Sequence, residues 1–413
     1  MNNKVAYFLN IYPKLSETFV VREITYLKKN GYDINIYAIR RPNLNQEKLS
    51  SLIKDVNVYY AYPEKIFKGI YLNIYFALVN PIKYFKCIGI IFGCIKTDPL
   101  PEILKQFVLL YFSAIFLNDL KKKNINHVHA HFSNACSIAM FCHIINPQIK
   151  YGFTAHASAD IYYKTILLEK KIKYAKYVIT ISDYNKRYLD LVTDYVFENK
   201  IYIVHNGVEF KEQNELLDKN KEIKTLQILS VGDFTFCKGY TTLLESLNVL
   251  RTEGYDFILN IIGDGKQKEM IQYIIKKYEL EYHVNLLGSL NNEDVMKYME
   301  ACDIFILASE IYLNGKRDGI PTVCIEAMSV GKPVISTYIS GIPELIENGE
   351  TGLLVPERNP KALSSAIARL IDNPKFRNEI GINGYEYVKN NYNIEKTIPL
   401  LKKVFNQMIY EKE

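Results

Sequence analysis

Residues 318–337 read DGIPTVCIEAMSVGKPVIST. Pro321 suits the first turn of a helix, where its missing N–H leaves no bond unmade. Gly319, two residues earlier, permits a close backbone approach. The helix gives way to KPVIST (332–337), a β-branched run that reads as a strand, and DIFILAS (303–309) ahead of the turn reads as another. Apolar strands joined by crossover helices imply a parallel sheet. Asp318 and Glu326 stand eight positions apart across the turn, with Lys316 and Arg317 just ahead of it.

The same alternation extends in both directions. TLQILSVGD (225–233), FILNIIGDG (257–265) and HVNLLG (283–288) read as strands of the same sheet. RNPKALSSAIARLID (358–372) reads as a helix, with Asn359 as cap, Pro360 at the first position and Leu363, Ile367 and Leu370 as its buried stripe. A separate series fills the first half: KVAYFLN (4–10), INIYAI (34–39), HVHAHF (127–132), YGFTA (151–155), YVITIS (177–182) and IYIVH (201–205). Between the first two lies SETFVVREITYLKKNG, a helix with Ser16 as N-cap and Gly31 as its stop. The polar stretch 206–223 reads as a linker. The expected fold is α/β: two doubly wound, Rossmann-like domains, 1–205 and 206–389, facing a central cleft, with a helix over about 390–413 able to pack back on the first. In such sheets ligands bind at the carboxyl ends of the strands.

Composition narrows the function. The seven cysteines form no C-x-x-C pair, so neither a zinc site nor a disulfide framework is expected, and a cytoplasmic location follows. His127, His129 and His131 alternate along one strand without a Cys or acid at a matching spacing, and no metal is expected. MNNKVAYFLNIYP reads as a first strand rather than a signal peptide. Residues 1–205 carry 27 Lys+Arg against 15 Asp+Glu, a net +12, whereas 206–413 carry 24 against 30, a net −6. The basic half favours an anionic partner or surface. Nucleic acid is not expected, because no recognised motif is present and the acidic half would repel phosphates.

Residues 66–117 break the pattern, being rich in Ile, Phe, Tyr and Leu. The uncharged runs 69–82 and 106–118 fall short of the roughly 18–20 residues that span a bilayer. Two readings stay open: buried helices of the first domain, or a helical region touching the inner leaflet, where Lys65, Lys68, Lys83, Lys86 and Lys121–Lys123 would meet anionic headgroups.

Free N–H groups at the start of the 321–329 helix attract an anion or a sugar hydroxyl. Asp318 and Glu326 can both accept hydroxyls of one ligand. The bland alternative makes Asp318 a helix cap and Glu326 a solvated side chain. Lys238 and Gly239, in VGDFTFCKGY (231–240), follow a strand, where a lysine can meet phosphate as a mobile charge. His156 ends a strand in FTAHASADIY (153–162).

Taken in order, these segments resemble glycosyltransferase family 4, the retaining, metal-independent transferases of GT-B fold, and most of all the branch that builds bacterial exopolysaccharide, capsule or lipopolysaccharide. YPKLSETFVVREI, HVHAHFSNACSIAM and FTAHASADIY resemble its first-domain landmarks. VGDFTFCKG, IIGDG, DGIPTVCIEAMSVGKPVIST and SGIPELIENGETGLLVP resemble its donor domain. The resemblance implies transfer from a nucleotide-sugar, a UDP-sugar, to a lipid-linked or oligosaccharide acceptor. Domain 1–205 would hold the acceptor and 206–389 the donor, with no cofactor and a peripheral place on the inner face of the membrane. It also implies roles. His156, Asp318 and Lys238 stand at the reacting centre, with Lys238 on the diphosphate and Asp318 on the donor sugar. Glu326 holds the ribose. Gly319, Ile320, Pro321 and Thr322 cradle sugar hydroxyls, and the Gly263–Asp264–Gly265 turn lines the donor site. Ser16, Glu17, Thr18 and His131 face the acceptor or cleft. Asp318 replaces the family's usual Glu, and Asp233 stands where an Arg is common. Arg317 is the expected substitute cation. The rival readings are a sugar-nucleotide epimerase and a non-catalytic scaffold on the same architecture.

Overall fold

The computed structural model describes residues 3–14, 17–42, 56–163, 165–210 and 225–410. The chain divides into two compact units, 1–204 together with 398–413, and 205–397. Most of the linker expected over 206–223 lies outside the described residues, as does Ser16.

The first unit is built on seven parallel strands: β1 (Lys4–Ile11), β2 (Asp33–Arg40), β3 (Asn57–Tyr62), β4 (His127–His131), β5 (Lys150–Ala155), β6 (Tyr177–Thr180) and β7 (Ile201–Ile203). Their spatial order is β3-β2-β1-β4-β5-β6-β7, so the winding reverses between β1 and β4. Helix α1 (Thr18–Lys29) buries Val20, Ile24 and Leu27, each contributing about 1.5–3 kcal/mol of apolar burial. Gly31 follows at φ +85°, a left-handed stop that costs a glycine nothing.

Residues 66–117 are mostly helical. They form α2 (Ile66–Val79), α3 (Pro81–Phe92) and most of α4 (Leu100–Lys123). α4 is long and apolar enough to cross a membrane, although its uncharged runs are short, but 56% of its most apolar window is buried in this unit. Leu109, Leu110, Ile115, Phe116 and Leu117 make it a core helix. Apart from Lys68 and Asn73, α2 is apolar. Gly69, Leu72 and Phe76 face inward, while Phe67, Ile70, Tyr71, Ile74, Tyr75, Leu78 and Val79 are exposed.

After β4 come α5 (Ser133–Ile145), α6 (Ser158–Ile161) and α7 (Leu168–Tyr174), with α8 (Asp183–Val192) ahead of β7.

The second unit carries six parallel strands, β8 (Leu226–Val231), β9 (Phe257–Ile262), β10 (Val284–Gly288), β11 (Ile304–Ile306), β12 (Val334–Thr337) and β13 (Leu353–Val355). Their order is β10-β9-β8-β11-β12-β13, with the reversal between β8 and β11. Helices α9 (Tyr240–Thr252), α10 (Lys268–Lys277), α11 (Asn292–Ala301), α12 (Thr322–Ser329), α13 (Ile342–Leu345), α14 (Pro360–Asp372) and α15 (Pro374–Asn391) connect and cover them. The Asn359 side chain accepts from the Ala362 N–H, and Leu363, Ile367 and Leu370 are buried. Pro321 is the residue before α12 rather than inside its first turn, with extended backbone (φ −67°, ψ 120°). The last helix, α16 (Ile394–Tyr410), begins in the second unit and its residues from 398 belong to the first. All seven cysteines are buried and unbonded.

Candidate functional site

Each sheet gathers a polar cluster at its own point of reversal, where neighbouring connections leave in opposite directions and open a crevice.

In the second unit the loop after β8 brings Lys238 back across the carboxyl end of β11. Gly239 makes this possible. It sits at φ +64°, and a Cβ there would stand 1.8 Å from the Ala308 carbonyl oxygen. Lys238 Nζ donates to both oxygens of Asp318, at 2.8 and 2.9 Å, and Ser309 Oγ donates to Asp318 Oδ2 at 2.7 Å. Burial pushes the Lys238 ammonium down, but the charge and hydrogen bonds of Asp318 outweigh it and hold the pKa above the ordinary lysine value. Asp318 is therefore an ion-pair partner, not a helix cap. Glu326, in the second turn of α12, is only 4% exposed, which removes the solvated reading.

The loop between β11 and α12 is held by local bonds. Tyr312 N–H donates to the Lys316 carbonyl and Gly315 N–H to that of Tyr312. The Tyr312 ring lies on Phe236 at 4.6 Å and 9°, tying this loop to the one that carries Lys238. Arg317 Nε donates to the Gly315 carbonyl at 3.1 Å. Gly319, Ile320 and Pro321 are buried and Thr322 is half-buried at the start of α12. Asp233 is exposed. The Gly263–Gly265 turn ends β9. Phe234 N–H donates to the Asp264 carbonyl, and Gly265 N–H to the Asp264 side chain.

In the first unit the histidines of β4 share one face and are buried. A Cβ on Gly152 would lie 2.2 Å from the Tyr177 ring, so only glycine on β5 lets that ring settle beside them. Tyr177 OH then meets His127 Nε2 at 2.9 Å and His129 Nδ1 at 3.1 Å, and His129 Nε2 meets Thr154 Oγ1 at 3.0 Å. His131 Nδ1 lies 3.0 Å from His156 Nε2, and His131 Nε2 lies 3.2 Å from Glu23 Oε1, which also accepts from Tyr7 OH at 2.7 Å. His156 is packed by Phe19 and Phe132. Asp160 clamps it from behind, accepting from the His156 N–H at 3.2 Å and the Ser133 N–H at 2.7 Å. Burial pushes His127 down to about 4 and holds His129 and His156 well below the usual histidine range. It pushes the Asp160 carboxyl up to about 6.

Of the residues singled out near the start of α1, Glu17 pairs with Lys14 at 2.7 Å and Thr18 opens the helix. It is Glu23, one turn after Phe19, that reaches the histidines. Glu23, Asp160 and Ser309 escaped the sequence reading. Glu23 flanks the buried stripe of α1, and Asp160 lies four residues after His156. Ser309 was visible only as the end of a strand. An acid also completes what the histidine spacing lacked: ligand atoms of Glu23, His129 and His131 lie within 4.8 Å of one another. Both His129 nitrogens are already hydrogen-bonded, so a metal there would have to break that network.

Two parallel α/β units with polar clusters at their points of reversal define a sugar-transferring enzyme of the GT-B class once the relatives are set beside them. Residues 211–387 match the family described as Glycosyl transferases group 1, and residues 92–212 match Glycosyltransferase Family 4. The amylovoran biosynthesis glycosyltransferase AmsK of Erwinia amylovora is 29% identical over 381 residues, covering 89% of this chain and 90% of the relative. A glycosyltransferase from Rickettsia africae superposes with a TM-score of 0.71 at 19% identity, covering 99% of both chains. HepE of Anabaena, crystallised with UDP-glucose, does so at 0.71 and 14%, covering 98% of this chain and 99% of that one. The two family matches together run from residue 92 to 387, and the chain belongs to these glycosyltransferases.

Proposed function

We propose that the protein transfers a sugar from a nucleotide-sugar, a UDP-sugar, to a lipid-linked or oligosaccharide acceptor in bacterial surface polysaccharide synthesis, with retained anomeric configuration and without a metal. The observation that carries this reading is the Lys238–Asp318–Ser309 cluster at the reversal of the second sheet, beside buried Glu326. AmsK, a polysaccharide enzyme, and HepE, which binds UDP-glucose, support the pathway and the donor class.

In this reading Glu326 accepts the ribose hydroxyls. The backbone at Gly319–Thr322 and the Gly263–Gly265 turn cradle the donor, and Asp318 accepts a sugar hydroxyl. Lys238, already cationic, contacts the diphosphate, and Arg317 adds the second charge that exposed Asp233 cannot supply. Transfer follows a front-face route. The anomeric C–O bond to the diphosphate breaks, the acceptor oxygen bonds to the same face, and the acceptor proton passes to the leaving phosphate oxygen. Fixed cations and the N-terminus of α12 stabilise the charge that develops.

The acceptor reading joins the basic first half to the exposed apolar face of α2. No acid occurs between Glu64 and Asp98, while Lys68, Lys83 and Lys86 are exposed. Such a surface suits peripheral binding to an anionic inner leaflet, in keeping with a place on the cytoplasmic side.

The test is transfer from a panel of UDP-sugars to polyprenyl-diphosphate-linked sugars in vesicles, with product anomers assigned by NMR. Transfer with retention, undiminished by EDTA, is expected. Lys238→Ala should lower kcat by about 10²–10³. Sugar-nucleotide conversion without acceptor would favour the epimerase. Absence of both reactions would leave the scaffold, and an EDTA-sensitive rate would end the metal-free reading.

A further inference from the structure

The first unit holds a chain of hydrogen bonds whose far end is unfinished. Glu23, a carboxylate, can only accept, and Oε1 already takes the Tyr7 hydroxyl proton. His131 Nε2, 3.2 Å from the same oxygen, therefore carries a hydrogen. In neutral His131 the other nitrogen, Nδ1, is then a bare lone pair. His156 Nε2 lies 3.0 Å from it and has to be the donor. The two rings are 15° from parallel with centroids 5.3 Å apart, which together with a 3.0 Å N···N contact places them edge to edge, as an in-plane hydrogen bond requires. One consequence remains for His156: its Nδ1 has no hydrogen, and it is a buried ring nitrogen without a partner among the described residues. Nearby groups fix the ring without touching this atom. Asp160 holds the His156 N–H and Asn185 Nδ2 donates to its carbonyl at 2.8 Å, while Phe19 and Phe132 pack its faces.

We propose that Glu23 and His131 are positioning residues that hold His156 as the Nε2–H tautomer, so that its Nδ1 accepts a hydrogen bond from a hydroxyl of the bound sugar substrate. This rests on the glycosyl-transfer reading for the identity of the hydroxyl, though not for the tautomer itself. A buried acceptor left unpaired costs free energy, and a site that presents one discriminates against ligands lacking the matching donor.

Two measurements test it. Nitrogen-15 spectra of histidine-labelled full-length protein at pH 7.5, with the His156 signals assigned by His156→Asn, should show a protonated Nε2 and a bare Nδ1. In His131→Phe that preference should disappear. A wild-type Nδ1–H tautomer overturns the proposal whatever the enzyme transfers. In steady-state transfer, Glu23→Gln keeps the side chain's shape but replaces an acceptor-only carboxylate with an amide that can also donate, so the wild-type preference for the parent donor over one monodeoxy analogue should weaken. His131→Phe should lower kcat/KM by about tenfold, the value of one hydrogen bond, and should erase the wild-type preference for the parent donor over one monodeoxy analogue. A monodeoxy preference that survives both Glu23→Gln and His131→Phe would show that the two residues are only structural.

Discussion

Single side chains in the 311–326 loop and helix carry the donor reading, and Arg317 is the most exposed to test. Its Nε donates to the Gly315 carbonyl, which orients the guanidinium. A fixed guanidinium suits bidentate phosphate contact, and the charge it adds matters most where Asp233 replaces a cation. Arg317→Ala should therefore weaken donor turnover by at least about tenfold, in the same direction as Lys238→Ala but less. Steady-state kinetics decides: unchanged kcat and donor KM in Arg317→Ala would return it to the role of an ordinary surface charge. At this scale the sequence was half legible. Asp318, Glu326 and Lys238 were marked by local features, a Gly-x-Pro turn and a strand end. That Lys238 and Asp318 would bond to each other was not, because the contact spans 80 residues and depends on Gly239 pressing against Ala308. Glu23 was missed for the same reason, since 108 residues separate it from His131.

Among the elements, α2 is the one whose composition the fold does not explain. Its inward stripe needs only Gly69, Leu72 and Phe76, yet seven more large apolar residues recur at i, i+3, i+4 and i+7 on the outer face. Phe67 is 85% exposed and Ile82, at the start of α3, 86%. An apolar helix that is only half covered inside its own unit suits a surface for a partner, and under the proposed function the lysines without acids fit an anionic bilayer. The triple variant Phe67→Ser, Ile74→Ser, Ile82→Ser should keep its stability, each exposed change lying within about 0.5 kcal/mol. It should lose flotation with phosphatidylglycerol vesicles, which the wild type should show more strongly than with neutral ones. Wild-type protein left at the bottom of both gradients would reject the membrane. Periodicity alone could not choose between buried and exposed faces here, because both faces of α2 carry the same residue types. The strands were easier, since each apolar run sits between turns and parallel sheets bury both faces. β3 is the exception, its tyrosine-rich run over 57–62 offering no clean apolar signal.

Across the whole molecule the two units differ in what they bury, and acid should reveal it. The first unit encloses His127, His129, His143 and His156, all pushed below the ordinary histidine value, chiefly by burial. For each, the unfolded chain takes up its proton near the usual value of about 6.5 and the folded chain only at lower pH. For His127 the folded value is about 4. Stability from these groups is therefore complete above pH 6.5 and is lost as pH falls from there through the folded values. Each net proton contributes about 1.4 kcal/mol per pH unit in that window. Asp160 works the other way. Its folded value near 6 lies above the unfolded one, so the folded state binds the proton first, and this offsets about one histidine as pH falls below 6. The balance still favours acid unfolding of the first unit. Urea melts of the full chain, followed by the near-ultraviolet dichroism of its 33 tyrosines, should show a first-unit transition that is flat from pH 8 to 7 and falls steeply between 6.5 and 4.5. His127→Asn should flatten that slope by about one proton's worth. A midpoint that stays constant from pH 7.5 to 5 would mean that the buried histidines take up protons without unfolding, and that the enclosed network on β4 is open to water.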